Sequence, residues 1–208
     1  MATFGKNILE NLTTGMYYDS KVIYREYIQN ACDQIDRAVR DNLFSNANEG
    51  TVDIAIDYKR RRVTITDNAT GIPAEDFRRQ LEDIANSDKE LGVDKGFRGI
   101  GRLCGLAYCK TLTFRATAKG EPTRSIMTMD AKRMRDMINS REKYTVDQII
   151  DEITSFSSEP APVEEHGFEV CLDDINKENT ALLNKNDVQS YLSFVAPVPY
   201  NSKFRLRY

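Results

Sequence analysis

Several features that would classify this chain at once are missing. Its four cysteines, at positions 32, 104, 109 and 171, form no CxxC pair and no zinc-ligand spacing. No apolar run approaches the roughly 20 residues needed to cross a membrane. The GxxxxGK[ST] phosphate loop occurs nowhere, and the glycines near residue 100 lack the parallel βαβ context of a dinucleotide fold. Positive charge is not in excess: the net charge is -3, so no global field draws the chain to nucleic acid or membrane. The basic run Lys59-Arg60-Arg61-Arg62 reads as a solvated hairpin turn. There is one histidine, His166, expected on the surface in a loop before Gly167, where it does not suit a phosphoacceptor on a helix. No secretory leader or internal repeat is visible, which leads to the expectation of a cytoplasmic protein with reduced, buried thiols.

The composition that remains is that of a globular protein, 40% hydrophobic and 29% charged. A chain of 208 residues fits one large domain, or one domain and the edge of another, and can bury a core without staples. Residues 7–18 read as a short amphipathic helix, with Ile8, Leu9 and Leu12 on one side. Asp19-Ser20 suits the cap of a longer helix to about Asn42. The apolar stripe of that helix is Tyr24, Ile28, Ala31, Ile35, Ala38 and Val39.

Alternation of Val52, Ile54, Ile56 and Tyr58, resumed by Val63 and Ile65, predicts an antiparallel hairpin. A helix follows Pro73 to about Ile84. Residues 86–101 form a long glycine-rich connection. Leu103 to Tyr108 suits an apolar helix, then strands at 111–117 and 123–129 flank a Gly120-Glu121-Pro122 turn. A charged helical stretch covers about 131–153, Ser155 to Glu165 reads as a loop, and Phe168, Val170 and Leu172 mark a last strand. A helix near 184–194 leads to Ala196-Pro197-Val198-Pro199, which is expected to end regular structure. The implied class is α+β: a two-layer sandwich with a mostly antiparallel sheet and helices on one face.

Three segments carry chemistry. On the long helix, Glu26, Asn30, Asp33 and Arg37 fall within an arc of about 60°, opposite the apolar stripe. A carboxylate there can orient and deprotonate water. An amide oxygen one turn later suits magnesium, a hard ion. Asp67 closes the strand Val63-Thr64-Ile65-Thr66, where a carboxylate can accept a hydrogen bond from an exocyclic amine, and Gly71 permits close backbone approach. Gly96, Gly99 and Gly101 precede a helix start whose free N–H groups suit phosphate. Lys95, Arg98 and Arg102 are local cations for it. Taken singly, the three segments read sooner as a polar helix face, a strand-ending turn and a flexible loop.

Together, Arg25-Glu26-Tyr27-Ile28-Gln29-Asn30-Ala31-Cys32-Asp33, Asp67-Asn68-Ala69-Thr70-Gly71-Ile72-Pro73 and Gly96-Phe97-Arg98-Gly99-Ile100-Gly101 resemble the GHKL (Bergerat-fold) ATPase superfamily. The first box is most similar to that of the ninety-kilodalton heat-shock chaperone. The resemblance covers about residues 7–175. It implies an ATP-binding domain over 1–190, with 191–208 leading into a transducer-type domain of a longer ATPase.

By that resemblance Glu26 is the general base, Asn30 the magnesium ligand and Asp33 a pocket residue behind it. Asp67 reads adenine with Gly71 beneath the base and Ile72 in the same nucleotide-binding set. Gly96, Phe97, Arg98, Gly99, Ile100 and Gly101 form the ATP lid. The implied cofactors are ATP and Mg2+, and the implied partner is a second copy that pairs in a nucleotide-dependent way. Hydrolysis is expected to be slow without a cation from the following domain. A non-hydrolysing nucleotide switch and a sensor-kinase domain are the alternatives. Ala69 stands where the family often has Gly, and Phe168 where it often has a Thr that helps hold adenine.

Overall fold

A computed structural model of the chain describes residues 19–82 and 101–195, together with the backbone of Phe204–Arg207. The helix expected at 7–18 lies outside the described residues, as do Lys95, Gly96, Phe97, Arg98, Gly99, Ile100 and the Pro-rich 196–199 segment.

The predicted strands form at β1 (Val52–Asp57), β2 (Arg62–Asp67), β3 (Thr111–Thr117), β4 (Thr123–Asp130) and β6 (Gly167–Asp173). Two further strands appear, β5 (Thr154–Pro160) and β7 (Phe204–Arg207). The sheet order is β5-β4-β3-β6-β2-β1-β7, antiparallel throughout except for β7 beside β1. The class is therefore α+β with a mostly antiparallel sheet, as the sequence pattern implies.

Strand register builds the core in rows. Ile54, Ile65, Val170, Phe114, Met127 and Phe156 stand side by side across six strands. Side chains alternate faces along a strand, so Val63, Ile65 and Asp67 all point to the core side. Asp67 falls in the last such row, between Val52 and Phe168. The other face is polar, with Arg115 paired to Glu169 across β3 and β6.

Five α-helices complete the described residues: α1 (Val22–Arg40), α2 (Ala74–Glu82), α3 (Ala131–Asn139), α4 (Val146–Ile153) and α5 (Lys185–Val195). α1 buries Ile23, Tyr24, Tyr27, Ile28, Ala31, Cys32, Ile35 and Ala38. Full burial of an Ile or Leu side chain stabilises by about 1.5–3 kcal/mol, so this stripe fixes which way α1 turns its polar residues. All four cysteines are free and buried. No described helix is long and apolar enough to cross a membrane.

Five expectations need correction. α1 starts at Val22 after Lys21; no side chain caps it, and the Asp19 carboxylate turns instead to Lys21, accepting from its N–H and pairing with its ammonium. The apolar helix at 103–108 is a 3-10 helix, Gly101–Ala107. The 131–153 stretch is two helices, because Thr145 and Gln148 form a capping box that starts α4 afresh. The Ser- and Pro-rich loop at 155 is strand β5, where exposed serines alternate with Phe156, whose ring meets Phe77 edge-on at 6.4 Å. Pairing with β4 supplies what local propensity withholds. β6 is not the last strand, and regular structure does not end at Pro199, since β7 follows.

The basic turn forms where expected, but two of its arginines are structural. Arg61, at φ 52°, donates to the Ile175 and Asn176 carbonyls, and Arg62 forks onto Asp173.

Candidate functional site

The polar residues of α1 are unequal. Arg37 is exposed, Glu26 and Asn30 are half-buried, and Asp33 is only 3% exposed. The Asp33 carboxylate accepts from Gln29 Nε2 at 3.3 Å. Glu26 Oε1 accepts from Arg25 Nη2 at 2.7 Å and Nε at 3.3 Å. Its other oxygen faces Gly101, where an added Cβ would collide with Oε2. Glycine at 101 thus lets the end of the glycine-rich segment come directly onto the Glu26 carboxylate.

One residue along, Tyr27 ties the same two elements. Its hydroxyl donates to the Arg102 carbonyl at 2.9 Å and accepts from the Gly105 N–H at 3.0 Å. Burial, reinforced by Cys104, holds its pKa well above the ordinary value, so it stays a neutral donor. The far end of the 3-10 helix is anchored by Arg135, which donates to the Leu106 and Cys109 carbonyls at 3.0 and 3.1 Å. Asn176 donates to the Ala107 carbonyl. Tyr27→Phe removes both hydroxyl bonds that hold α1 to the 3-10 helix. We expect a loss of about 1–3 kcal/mol, read as a lower urea midpoint at unchanged m-value.

The turn after β2 is built around Asp67, which is 6% exposed. Its Oδ1 accepts from the Ala69 N–H at 2.9 Å. Burial pushes the carboxyl up to about 7, against the pull of the Ala69 and Phe168 backbone amides. Asn68 pins the turn to Thr51 and Glu49, accepting from the Thr51 N–H at 2.7 Å and donating to the Glu49 carbonyl at 3.0 Å. The Thr70 hydroxyl donates to Gln34 of α1 at 3.0 Å. Ile72 is partly buried against the core.

Gly71 and Gly167 have positive φ, 65° and 140°. A Cβ on Gly71 would strike the Thr117 carbonyl, and one on Gly167 the Asp67 carbonyl. The need for glycine at 71 is thus already set inside the fold, by strand packing, whatever the backbone there also contacts.

The two departures from the family pattern read differently in three dimensions. Ala69 is fully buried and is not among the residues with positive φ, so alanine fits its turn without strain. Phe168 packs its ring 5.9 Å from Phe114, and its backbone amide, rather than a side-chain hydroxyl, acts on Asp67.

α1 is therefore tied to the 3-10 helix at Glu26 and Tyr27, and to the Asp67 turn at Gln34. Glu26, Asn30, Asp33, Asp67, Gly71, Ile72 and Gly101 lie on these connected elements; Gly96 to Ile100 fall outside the described residues. Among the described residues no group of three or more His, Cys, Asp or Glu could hold a metal. Sequence reasoning missed Tyr27, Gln34, Arg135 and His166. His166 is half-buried rather than superficial, with Nδ1 2.8 Å from the Ala69 carbonyl oxygen.

A buried carboxyl at a strand end, a helix carrying Glu26 and Asn30, and a glycine-started 3-10 helix against that glutamate are thus linked through α1. The chain belongs to the family of histidine kinase-, DNA gyrase B- and HSP90-like ATPases, whose model matches residues 20–159. Among individual relatives it is similar to chaperone protein HtpG of Psychrobacter cryohalolentis, 27% identical over 132 residues, 55% of this chain and 20% of the relative. HtpG of Methylorubrum populi is 31% identical over 101 residues, 44% and 16% of the two chains. HtpG of Clostridium acetobutylicum is 30% identical over 87 residues, 39% and 14%. The matched region spans about a fifth or less of the length of these relatives.

Proposed function

We propose that this domain binds ATP with magnesium and hydrolyses it, and that nucleotide state governs closure of the Gly96–Gly101 segment and pairing of two copies. The nucleotide-binding unit, expected over 1–190, takes in the whole of α5 to Val195 and β7 beside β1, and a transducer-type domain would follow it. Asp67 is the observation that carries the reading. A buried carboxyl without an ion pair among the described residues is costly to keep and marks a functional site. Its ionised form accepts a hydrogen bond, which suits the exocyclic amine of adenine.

The other residues follow. Glu26 orients water and takes its proton, and Asn30 offers an amide oxygen beside it. Magnesium keeps several waters and takes phosphate oxygens, so it asks for few protein ligands. The ion would supply charge neutralisation at the phosphates. Asp33 lines the pocket behind Asn30, and Gly71 and Ile72 flank the base. Gly96, Phe97, Arg98, Gly99, Ile100 and Gly101 surround the phosphates with backbone N–H groups. Phosphoryl transfer to water needs chiefly positioning and charge stabilisation, which this set can provide. The client or nucleic-acid partner of such an ATPase is set by domains outside this fold.

Titration calorimetry with ATP and magnesium tests the reading, and pH gives it a sign. Ionised, Asp67 is the stronger acceptor; protonated, one of its oxygens becomes a donor that faces the amine hydrogens. With its pKa near 7, about nine-tenths of empty sites carry the charge at pH 8 and about one-tenth at pH 6. ATP affinity should therefore fall by up to about tenfold from pH 8 to pH 6, and Asp67→Asn should lessen that dependence. No binding heat at pH 8 would overturn the proposal.

A further inference from the structure

We propose that His166 is a positioning residue for the adenine end of the site, a role that rests on the reading of Asp67 given above. The Ala69 peptide unit is held at both ends. Its N–H donates to Asp67 Oδ1 at 2.9 Å, and its carbonyl lies 2.8 Å from His166 Nδ1. A carbonyl only accepts, so Nδ1 carries the proton and donates. The same bond is made by the neutral ring and by the imidazolium. Imidazole, peptide and carboxylate thus form one chain: the carboxylate cannot rotate without giving up Ala69, and Ala69 cannot shift without giving up His166.

His166 is itself placed from two sides. Its ring packs 6.1 Å from Phe44, at the end of the α1 connection. Its backbone leads into Gly167, whose φ of 140° lets the chain pass against the Asp67 carbonyl. Asp67 pairs in register with Phe168, so the start of β6 meets the adenine turn twice, by ladder and by side chain. The Ala69 carbonyl is otherwise a buried acceptor, and buried acceptors are costly to leave unmade. An apolar residue at 166 would free the turn and let the Asp67 carboxylate point in more than one direction.

The test uses His166→Asn, which keeps an N–H donor near the Nδ1 position, and His166→Leu, which removes it. The readouts are ADP affinity by calorimetry and thermal unfolding without nucleotide. His166→Leu should weaken ADP binding about tenfold, one lost hydrogen bond's worth of affinity, and His166→Asn should stay within about threefold of the parent chain. In an Asp67→Asn background, His166→Leu should cost less than about twofold more, because the group it aims is gone. Additive losses in the double variant, unchanged affinity in His166→Leu, or His166→Asn as weak as His166→Leu would each overturn the inference. Should His166→Leu not fold, His166→Gln, whose amide reaches the Nε2 position instead, should show the weakened binding; parent-like affinity there would overturn the inference equally. If Asp67→Asn alone left affinity untouched, the adenine reading would fail; a strong Asp67→Asn effect with silent His166 variants would sink this inference only.

Discussion

Asp67→Asn is expected to raise the stability of the nucleotide-free domain and to lower its affinity for ATP. Both effects come from the same burial. The Asp67 carboxyl is 6% exposed, and burial moves its pKa from 3.8 to about 7. A carboxyl raised in the folded state binds more protons there than in the unfolded chain between those two values. Stability therefore falls as pH rises from about 4 to about 7 and is flat beyond. Raising the carboxyl from 3.8 to about 7 corresponds to at most about 4 kcal/mol above pH 7. Asn has the same shape, carries no charge, and its oxygen can still accept from the Ala69 amide. At pH 8 the variant should melt several degrees higher, and at pH 4 it should match the parent. For ATP the sign reverses: the adenine amine loses its charged acceptor, at a cost of about 1–3 kcal/mol, or five- to more than a hundredfold in Kd. A variant with parent affinity for ATP would remove Asp67 from the site, whatever its melting temperature.

Glu26→Ala should leave nucleotide binding nearly intact and reduce turnover by about a hundredfold or more, the usual contribution of a positioned general base. Glu26 offers two different oxygens. Oε1 is engaged by Arg25, and Oε2 faces the Gly101 backbone. The carboxylate is thus oriented before any nucleotide arrives, and pre-set orientation is where such a group gains its advantage. The contrast of kcat with Kd matters, because a fold defect would lower both. Turnover is best measured on the longest chain that carries this domain. Equal turnover in Glu26→Ala and parent would remove Glu26 from the role of general base; no turnover in the parent itself would favour the non-hydrolysing switch. Gly101→Ala provides the steric counterpart, since its Cβ would displace Oε2. It should slow turnover while Glu26 remains present.

How much of this was readable beforehand depends on how local each cause is. The hairpin of β1 and β2 was legible because alternation of Val52, Ile54, Ile56, Val63 and Ile65 is a property of neighbouring residues. The α1 stripe was legible for the same reason, at a period of 3.6. β5 was not, because Ser155, Ser157 and Ser158 carry no strand signal, and the strand exists through its ladder to β4. The break between α3 and α4 was written in Thr145 and Gln148, a capping signal overlooked beneath the charge pattern. The two structural arginines of the basic turn needed Asp173, Ile175 and Asn176, more than a hundred residues away.

For the site, the sequence by itself determined which residue types stand at Glu26, Asn30, Asp33, Asp67 and Gly101, and on what local element most of them sit. Those follow from periodicity and from turn chemistry, both short-range. Only the tertiary structure decided that Asp67 lies in a core-facing row and titrates near 7, because desolvation depends on what packs around it from β1 and β6. It alone decided that glycine at 71 is required by Thr117, that Tyr27 joins α1 to the 3-10 helix, and that His166 reaches the Ala69 carbonyl across 97 positions of chain. Burial and hydrogen-bond partnership are properties of the folded surroundings, and no window of sequence contains them.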